Sequence, residues 1–290
     1  MSTPPFLRLP GCARAERVVT GRGEFAALRA EPAGAVRGSA LLVPGFTGSK
    51  EDFIGLLEPL AAAGYRVTAV DQRGQYETGG PEDPGAYAVG ELGADVRALT
   101  EALAADGGPL HLLGHSFGGQ VVREAVLAAA TGPLPWRSLT LMSTGPGAID
   151  PAEAARTKLL LDALQVMGLE EIWQIMRQME ADSGQPQPGP APAVAEFLHR
   201  RWLANVPLAL SVTGGHLVAA PDRVDELAAA TTGLPVLVLS GVRDYAWPVP
   251  EQTGMAERLG AHRVVVADAG HSPNAEQPAA TAGALASFWA

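Results

Sequence analysis

The chain has 290 residues, 47% apolar and 18% charged, and its 21 Lys and Arg against 31 Asp and Glu give a formal net charge of −10. A chain this long can bury roughly three-quarters of its unfolded surface without metals or disulfides, and an acidic balance with no basic run argues against nucleic acid or an anionic membrane as partner. The single cysteine, Cys12, can close no internal disulfide and has no second thiol for a zinc site, so neither redox chemistry nor a structural metal or cofactor is expected.

Leu9-Pro10-Gly11-Cys12 superficially resembles the end of a lipoprotein leader, but only Phe6, Leu7 and Leu9 are bulky and apolar before it and Arg8 interrupts them. No apolar run approaches the roughly 18 residues of a membrane span. A cytoplasmic protein acting on a small molecule is the expectation.

In chain order, Arg17 to Thr20 and Phe25 to Arg29 flank Gly21-Arg22-Gly23 and read as an antiparallel hairpin. Ala40 to Val43, Arg66 to Val70, Leu110 to Leu113, Ser138 to Met142, Pro235 to Leu239 and Arg263 to Val266 are apolar almost without alternation, as strands covered by helices on both faces must be. Helical patterns follow at Asp52 to Ala63, Tyr87 to Ala105, Gly119 to Ala130, Glu251 to Leu259 and Ala279 to Phe288. This alternation predicts an α/β fold, a mostly parallel doubly wound sheet of about eight strands.

Between Met142 and Pro235 no strand is expected. Ala152 to Met179 carries Leu160, Leu164, Met167, Ile172, Ile175, Met176 and Met179 at helical spacing, and Val194, Phe197, Leu198 and Trp202 repeat it beyond a loop at Gly184 to Pro192. The prediction is a core of residues 1–147 and 223–290 with a helical cap, residues 148–222, lying over the carboxyl ends of the strands.

The strand ending at Leu113 runs into Gly114-His115-Ser116-Phe117-Gly118-Gly119 and then a helix, which is G-x-S-x-G in strand, turn and helix context. Such a turn exposes the Ser116 hydroxyl above the sheet, beside a helix N-terminus that favours developing negative charge. The sequence here resembles the α/β-hydrolase superfamily, of the capped, serine esterase or lipase type, over almost its whole length. Leu42-Val43-Pro44-Gly45-Phe46 is similar to the oxyanion loop, with Pro44 where His is commoner, and Asp71-Gln72-Arg73-Gly74 to the D-x-R-G turn. Gly241-Val242-Arg243-Asp244 followed by Pro248 resembles the acid loop, and Gly270-His271-Ser272-Pro273 the histidine loop.

A serine hydroxyl needs a base within hydrogen-bond reach. Of the six histidines, His271 stands in a loop after a late buried strand, whereas His115 adjoins the nucleophile and should point away, His111 lies in a strand, and His199, His216 and His262 read as cap or surface. Asp244 precedes it and gives the order Ser, Asp, His; no carboxylate stands at Ser143-Thr144, and Asp71 is expected to hold a turn. The catalytic candidates are therefore Ser116, Asp244 and His271. The resemblance assigns the oxyanion donors to the backbone N–H groups of Phe46 and Phe117, and either ring could also line an acyl pocket. Candidate substrate contacts from the cap and its surroundings are Met167, Trp173, Met176, Met179, Trp202 and Trp247, while Arg156, Lys158, Arg177, Arg200 and Arg201 are expected to be solvated.

The expected activity is hydrolysis of a carboxylic ester or lactone of a mainly apolar small molecule through an acyl-enzyme. Two alternatives share the fold: a C–C bond hydrolase of a diketone-type substrate, whose relatives typically carry Trp after the histidine where this chain has Ser272, and a non-hydrolytic cyclase or binding protein of a biosynthetic pathway. Haloalkane dehalogenases and epoxide hydrolases of the fold carry Asp where this chain has Ser116.

Overall fold

The computed structural model describes residues 2–104, 110–182 and 189–290, and among these the expected alternation of strands and helices is present. The chain opens with the hairpin β1 (Ala13–Thr20) and β2 (Gly23–Ala30), paired from Ala13↔Ala30 to Thr20↔Gly23. There follow β3 (Gly38–Val43), α1 (Ile54–Ala62), β4 (Tyr65–Val70), α2 (Val89–Ala104), β5 (Leu110–His115), α3 (Phe117–Ala129) and β6 (Trp136–Met142). Helices α4 (Pro151–Leu164), α5 (Leu169–Asp182), α6 (Pro192–Leu203), α7 (Pro207–Ala219) and α8 (Val224–Ala230) come next. The chain closes with β7 (Val236–Gly241), α9 (Val249–Leu259), β8 (His262–Val266), α10 (Pro273–Glu276) and α11 (Pro278–Trp289).

The eight strands form one sheet in the order β1-β2-β4-β3-β5-β6-β7-β8, with β2 antiparallel to both its neighbours and all other pairs parallel. Helices α2, α3, α8 and α9 pack on one face and α1 and α11 on the other. Every residue of β5 is buried, and Leu41, Leu42, Leu112 and Leu113 are fully enclosed, which is why these strands read as unbroken apolar runs. The register Val43↔Gly114 brings the ends of β3 and β5 side by side, and the loops after β3, β5, β7 and β8 all open at the same edge of the sheet.

The helical insertion differs in detail from the sequence reading. The pattern from Ala152 to Met179 is two helices, α4 and α5, broken between Gln165 and Gly168. Helix α7 has no counterpart in the sequence pattern, because its Ala, Leu, Val and Gly residues are spread around it without a polar stripe. A Cβ on its Gly214 would lie 2.9 Å from Leu161 Cδ2, so the glycine allows α7 to press against α4. Helix α8 packs on α3 and α9 of the core. The expected loop at Gly184 to Pro192 falls mostly outside the described residues, and α6 begins at Pro192. Ile172, Trp173, Val194, Phe197, Leu198, Trp202 and Leu210 form a core within the cap, separate from the two cores that flank the sheet.

The cap leaves and rejoins the core at adjoining points. Ile149 N–H donates to Leu217 O at 3.1 Å, Arg223 N–H donates to Pro146 O at 3.4 Å, and Asp150 N–H donates to Ala246 O at 2.8 Å. Trp247 is fully buried beneath this stem, its Nε1–H donating to Gly147 O (3.1 Å) and Ala148 O (3.0 Å).

Candidate active site

Ser116 occupies the turn between β5 and α3 with φ 56° and ψ −122°, a left-handed conformation that a non-glycine residue holds only where its surroundings enforce it. The enforcement is visible in the neighbours. A Cβ on Gly118 would lie 2.4 Å from Val43 O and 2.5 Å from Pro44 O, and one on Gly45 would lie 2.9 Å from Ser116 Cβ. The loop after β3 is thus pressed against the serine turn, and only residues without side chains permit that approach. Gln72 and Gln75 hold the loop from below, their Nε2–H groups donating to Pro44 O and Gly45 O at 2.8 Å each.

The Ser116 Oγ lies 2.9 Å from His271 Nε2, and His271 Nδ1 lies 2.8 Å from Asp244 Oδ1. The carboxylate can only accept, so Nδ1 carries the proton and Nε2 is free to accept from the serine hydroxyl. Asp244 Oδ1 also accepts from Ala246 N–H (3.0 Å) and Trp247 N–H (3.4 Å), and Oδ2 from Gln252 Nε2–H (2.9 Å). Burial of Asp244 would raise its pKa, but the hydrogen bond and charge of His271, with the Ala246 and Gln252 donors, hold it below the usual carboxylate value. The histidine loop is fixed by Glu276, whose carboxylate accepts from Gly270 N–H at 2.6 Å and Ser272 N–H at 2.9 Å. His115 points away from the serine hydroxyl, its Nε2–H donating to His271 O at 2.9 Å, and burial pushes its pKa down to about 3.

A cavity of about 600 Å³ opens over Ser116 and His271. Its apolar walls are Leu159, Leu160, Ala163, Ile172, Ile175, Met176, Met179 and Trp202 from the cap helices, Ile149 and Leu217 from the cap's stem, and Phe46 and Ala246 from the core, and the cap adds Glu153, Arg156, Thr157 and Glu180. Four of the expected contacts, Phe46, Met176, Met179 and Trp202, border it; the other four do not. Phe117 is buried in the core beneath the elbow, edge-on to His216. Met167 packs against the cap's own core, and Trp173 lies in that core, stacked on His199 at 5.1 Å. Trp247 supports the acid loop from inside, where a Cβ on Gly145 would lie 2.1 Å from its ring. Each is an aromatic or thioether whose helical spacing or nearness to a motif resembled pocket lining, and burial between elements accounts for it instead.

Among the cations expected to be solvated, Arg201 is wholly buried and bonded to Asp52. Asp71 holds its turn as expected, accepting from Lys50 N–H (2.7 Å), Lys50 Nζ (2.9 Å) and Glu77 N–H (3.2 Å). Gln252, Glu276, Gln72 and Gln75 were not singled out in the sequence. Gln72 is the variable position of the D-x-R-G turn and Gln75 follows it directly, which is their available signal; Gln252 and Glu276 carry none.

A mostly parallel sheet in this order, with a strained serine after its fifth strand and Asp and His supplied after its seventh and eighth, is the architecture of an α/β hydrolase. Residues 40–284 match the alpha/beta hydrolase family, and the chain belongs to that family of hydrolases. A stretch of 81 residues is 35% identical to the proline iminopeptidase of Lacticaseibacillus rhamnosus (strain Lc 705); it covers 28% of this chain and spans only 27% of that relative's length. The structure of a thermophilic esterase from Thermogutta terrifontis, malate bound, superposes with a TM-score of 0.72 at 23% identity, over 95% of this chain and 97% of that one. The enol-lactonase from Burkholderia xenovorans LB400 does so with a TM-score of 0.72 at 19% identity, over 94% and 99%. At these identities the likeness is one of fold.

Proposed function

We propose that the protein is a serine hydrolase that cleaves a carboxylic ester or lactone of a mainly apolar, medium-sized molecule. The observation that carries this reading is the Ser116–His271–Asp244 relay, with hydrogen bonds of 2.9 and 2.8 Å, in the floor of a cavity whose cap side is mainly aliphatic, thioether and aromatic, with Glu153, Arg156, Thr157 and Glu180 as its polar members.

In this reading Ser116 Oγ attacks the substrate carbonyl carbon while His271 Nε2 takes the hydroxyl proton, and Asp244 holds the imidazole in the required tautomer and offsets its positive charge. The carbonyl oxygen, now an anion, receives the N–H groups of Phe46 and Phe117. Phe117 is the first residue of α3, so its N–H has no acceptor within the helix and lies where the helix dipole favours negative charge. His271 then returns the proton to the departing alcohol oxygen. A water molecule, deprotonated by the same nitrogen, attacks the acyl carbon and releases Ser116, so two easier steps replace one difficult step.

The test is incubation with p-nitrophenyl esters from acetate to laurate and with a lactone series, alongside a fluorophosphonate label mapped by mass spectrometry, with Ser116→Ala as control. Turnover together with labelling at Ser116, both lost in the variant by roughly 10⁴-fold or more, supports the reading. Labelling at another residue, or labelling at Ser116 without turnover of any ester or lactone, overturns it.

A further inference from the structure

Beneath the loop that carries the Phe46 N–H, one buried carboxylate joins three parts of the site. Asp52 is fully enclosed, in the 3₁₀ turn Lys50–Phe53, and borders the cavity. Its Oδ1 accepts from Arg201 Nη1 of α6 at 2.6 Å. Its Oδ2 accepts from Ser49 N–H at 3.3 Å and lies so close under the loop that a Cβ on Gly48 would be 2.6 Å away. Its main-chain O accepts from Asn274 Nδ2–H at 2.7 Å, three residues beyond His271. The cap, the loop after β3 and the histidine loop therefore meet at a single residue.

The partner is equally committed. The Arg201 guanidinium has no solvent exposure; besides Asp52 it donates from Nη1 to Ser49 Oγ at 3.4 Å and from Nη2 to Ser2 O at 2.7 Å. Its neighbours on α6 add lesser contacts: Arg200 Nε–H donates to Tyr76 OH, and Phe197 packs edge-on against the Tyr76 ring. A buried ion pair costs much desolvation and is weak evidence for stability in its own right. The fork of a guanidinium does fix direction, and here it fixes the cap against the loop that turns at Thr47 with φ 58°.

We propose that Asp52 and Arg201 are a positioning pair through which the seating of α6 sets the Phe46 N–H and the His271 loop for reaction. The inference rests on the serine hydrolase reading. It makes the cap part of the catalytic geometry, even for a substrate too short to touch helices α4 and α5. The pair touches no reacting atom.

The experiment compares the wild type with Arg201→Lys, Arg201→Met and the double variant Asp52→Asn with Arg201→Met, using p-nitrophenyl acetate, p-nitrophenyl laurate and the melting temperature. The double variant leaves no lone buried charge and should stay folded where Arg201→Met alone does not. For the acetate ester, kcat is expected to fall about tenfold or more in the double variant, with KM moving less than about twofold, the pattern of a lost transition-state interaction. Arg201→Lys, which keeps the charge but cannot span Asp52, Ser49 and Ser2 together, should recover part of that loss. A double variant that is folded and turns over acetate at the wild-type rate overturns the proposal, and so does a loss confined to laurate, since the pair then only anchors the cap. A wild type that neither hydrolyses acetate nor labels at Ser116 overturns the serine hydrolase reading itself and this inference with it.

Discussion

Replacing Asp244 by Asn separates two contributions that are usually lost together. The carboxylate has one oxygen, Oδ1, facing three donors, His271 Nδ1–H and the N–H groups of Ala246 and Trp247, and another, Oδ2, facing the single donor Gln252 Nε2–H. An asparagine must put its amide oxygen at one of these positions and its NH₂ at the other. With the NH₂ toward Oδ1 it would meet three donors; with the NH₂ toward Oδ2 it meets one, and Gln252 can turn its Oε1, which has no partner among the described residues, to receive it, at the cost of the bond that Gln252 Nε2–H now donates to Trp247 O at 2.8 Å. The oxygen therefore stays opposite His271, and the histidine keeps Nδ1 protonated and Nε2 free. What disappears is the charge. Opposite charges about 4 Å apart at an effective dielectric near 20 interact by about 4 kcal/mol, so the loss in kcat/KM should be about 10²- to 10³-fold. A wrong tautomer would cost nearer 10⁴-fold. The residual conflict at Gln252 should cost about 1–3 kcal/mol of stability, a fall of several degrees in Tm. Steady-state kinetics on the best ester, beside Ser116→Ala and His271→Ala, decides the matter. A loss as large as theirs would refute the argument from donor count.

Gly118→Ala should lower Tm by several degrees and cut activity at least about tenfold where the protein is still folded, since the new Cβ meets Val43 O and Pro44 O and must shift the loop bearing Phe46; unchanged kinetics would refute this. Met176→Ala should alter the preference between short and long acyl chains by about tenfold, and Trp173→Ala should instead lower Tm, because only Met176 borders the cavity; a chain-length series with melting curves tests both. Burial pushes the pKa of His111 down to about 4 while the unfolded chain takes up that proton near pH 6.5. Between those values the unfolded state binds more protons, so stability falls as pH falls, by about 1.4 kcal/mol per pH unit for this residue. Urea denaturation from pH 6.5 to 4.5 should show that slope reduced by the same amount in His111→Phe, and identical slopes would count against it.

The five loop motifs were legible because each needs particular residues at a fixed place after a strand, and the unbroken apolar runs gave the strands themselves. Ser116, His271 and Asp244 could be named from chain order, and in the structure they lie within hydrogen-bond distance. Arg201 shows where such reading ends. It stands beside Arg200 in a helix, and neighbours in sequence point about 100° apart, so one faces solvent and the other Asp52, a residue 149 positions away. Trp247 is a similar case, since Gly145, which makes room for its ring, lies on another loop. Helix α7 lacked a stripe because its sides are covered by α4 and by the turn at Pro84–Tyr87.

The cap's stem bears on how the fold can diversify. The chain enters and leaves the cap through paired backbone at Pro146–Ile149 and Leu217–Arg223, with the Trp247 indole bonded to the entering segment. An inserted segment whose two ends are held together can be exchanged without moving its host. The helices between these points are therefore a replaceable cassette, and a graft from another α/β hydrolase should leave Ser116, Asp244 and His271 in register. The graft must meet one requirement: Asp52 has to find a cation on the incoming helices, because neutralising Asp52 instead removes the lone buried charge but gives up the positioning of the Phe46 loop.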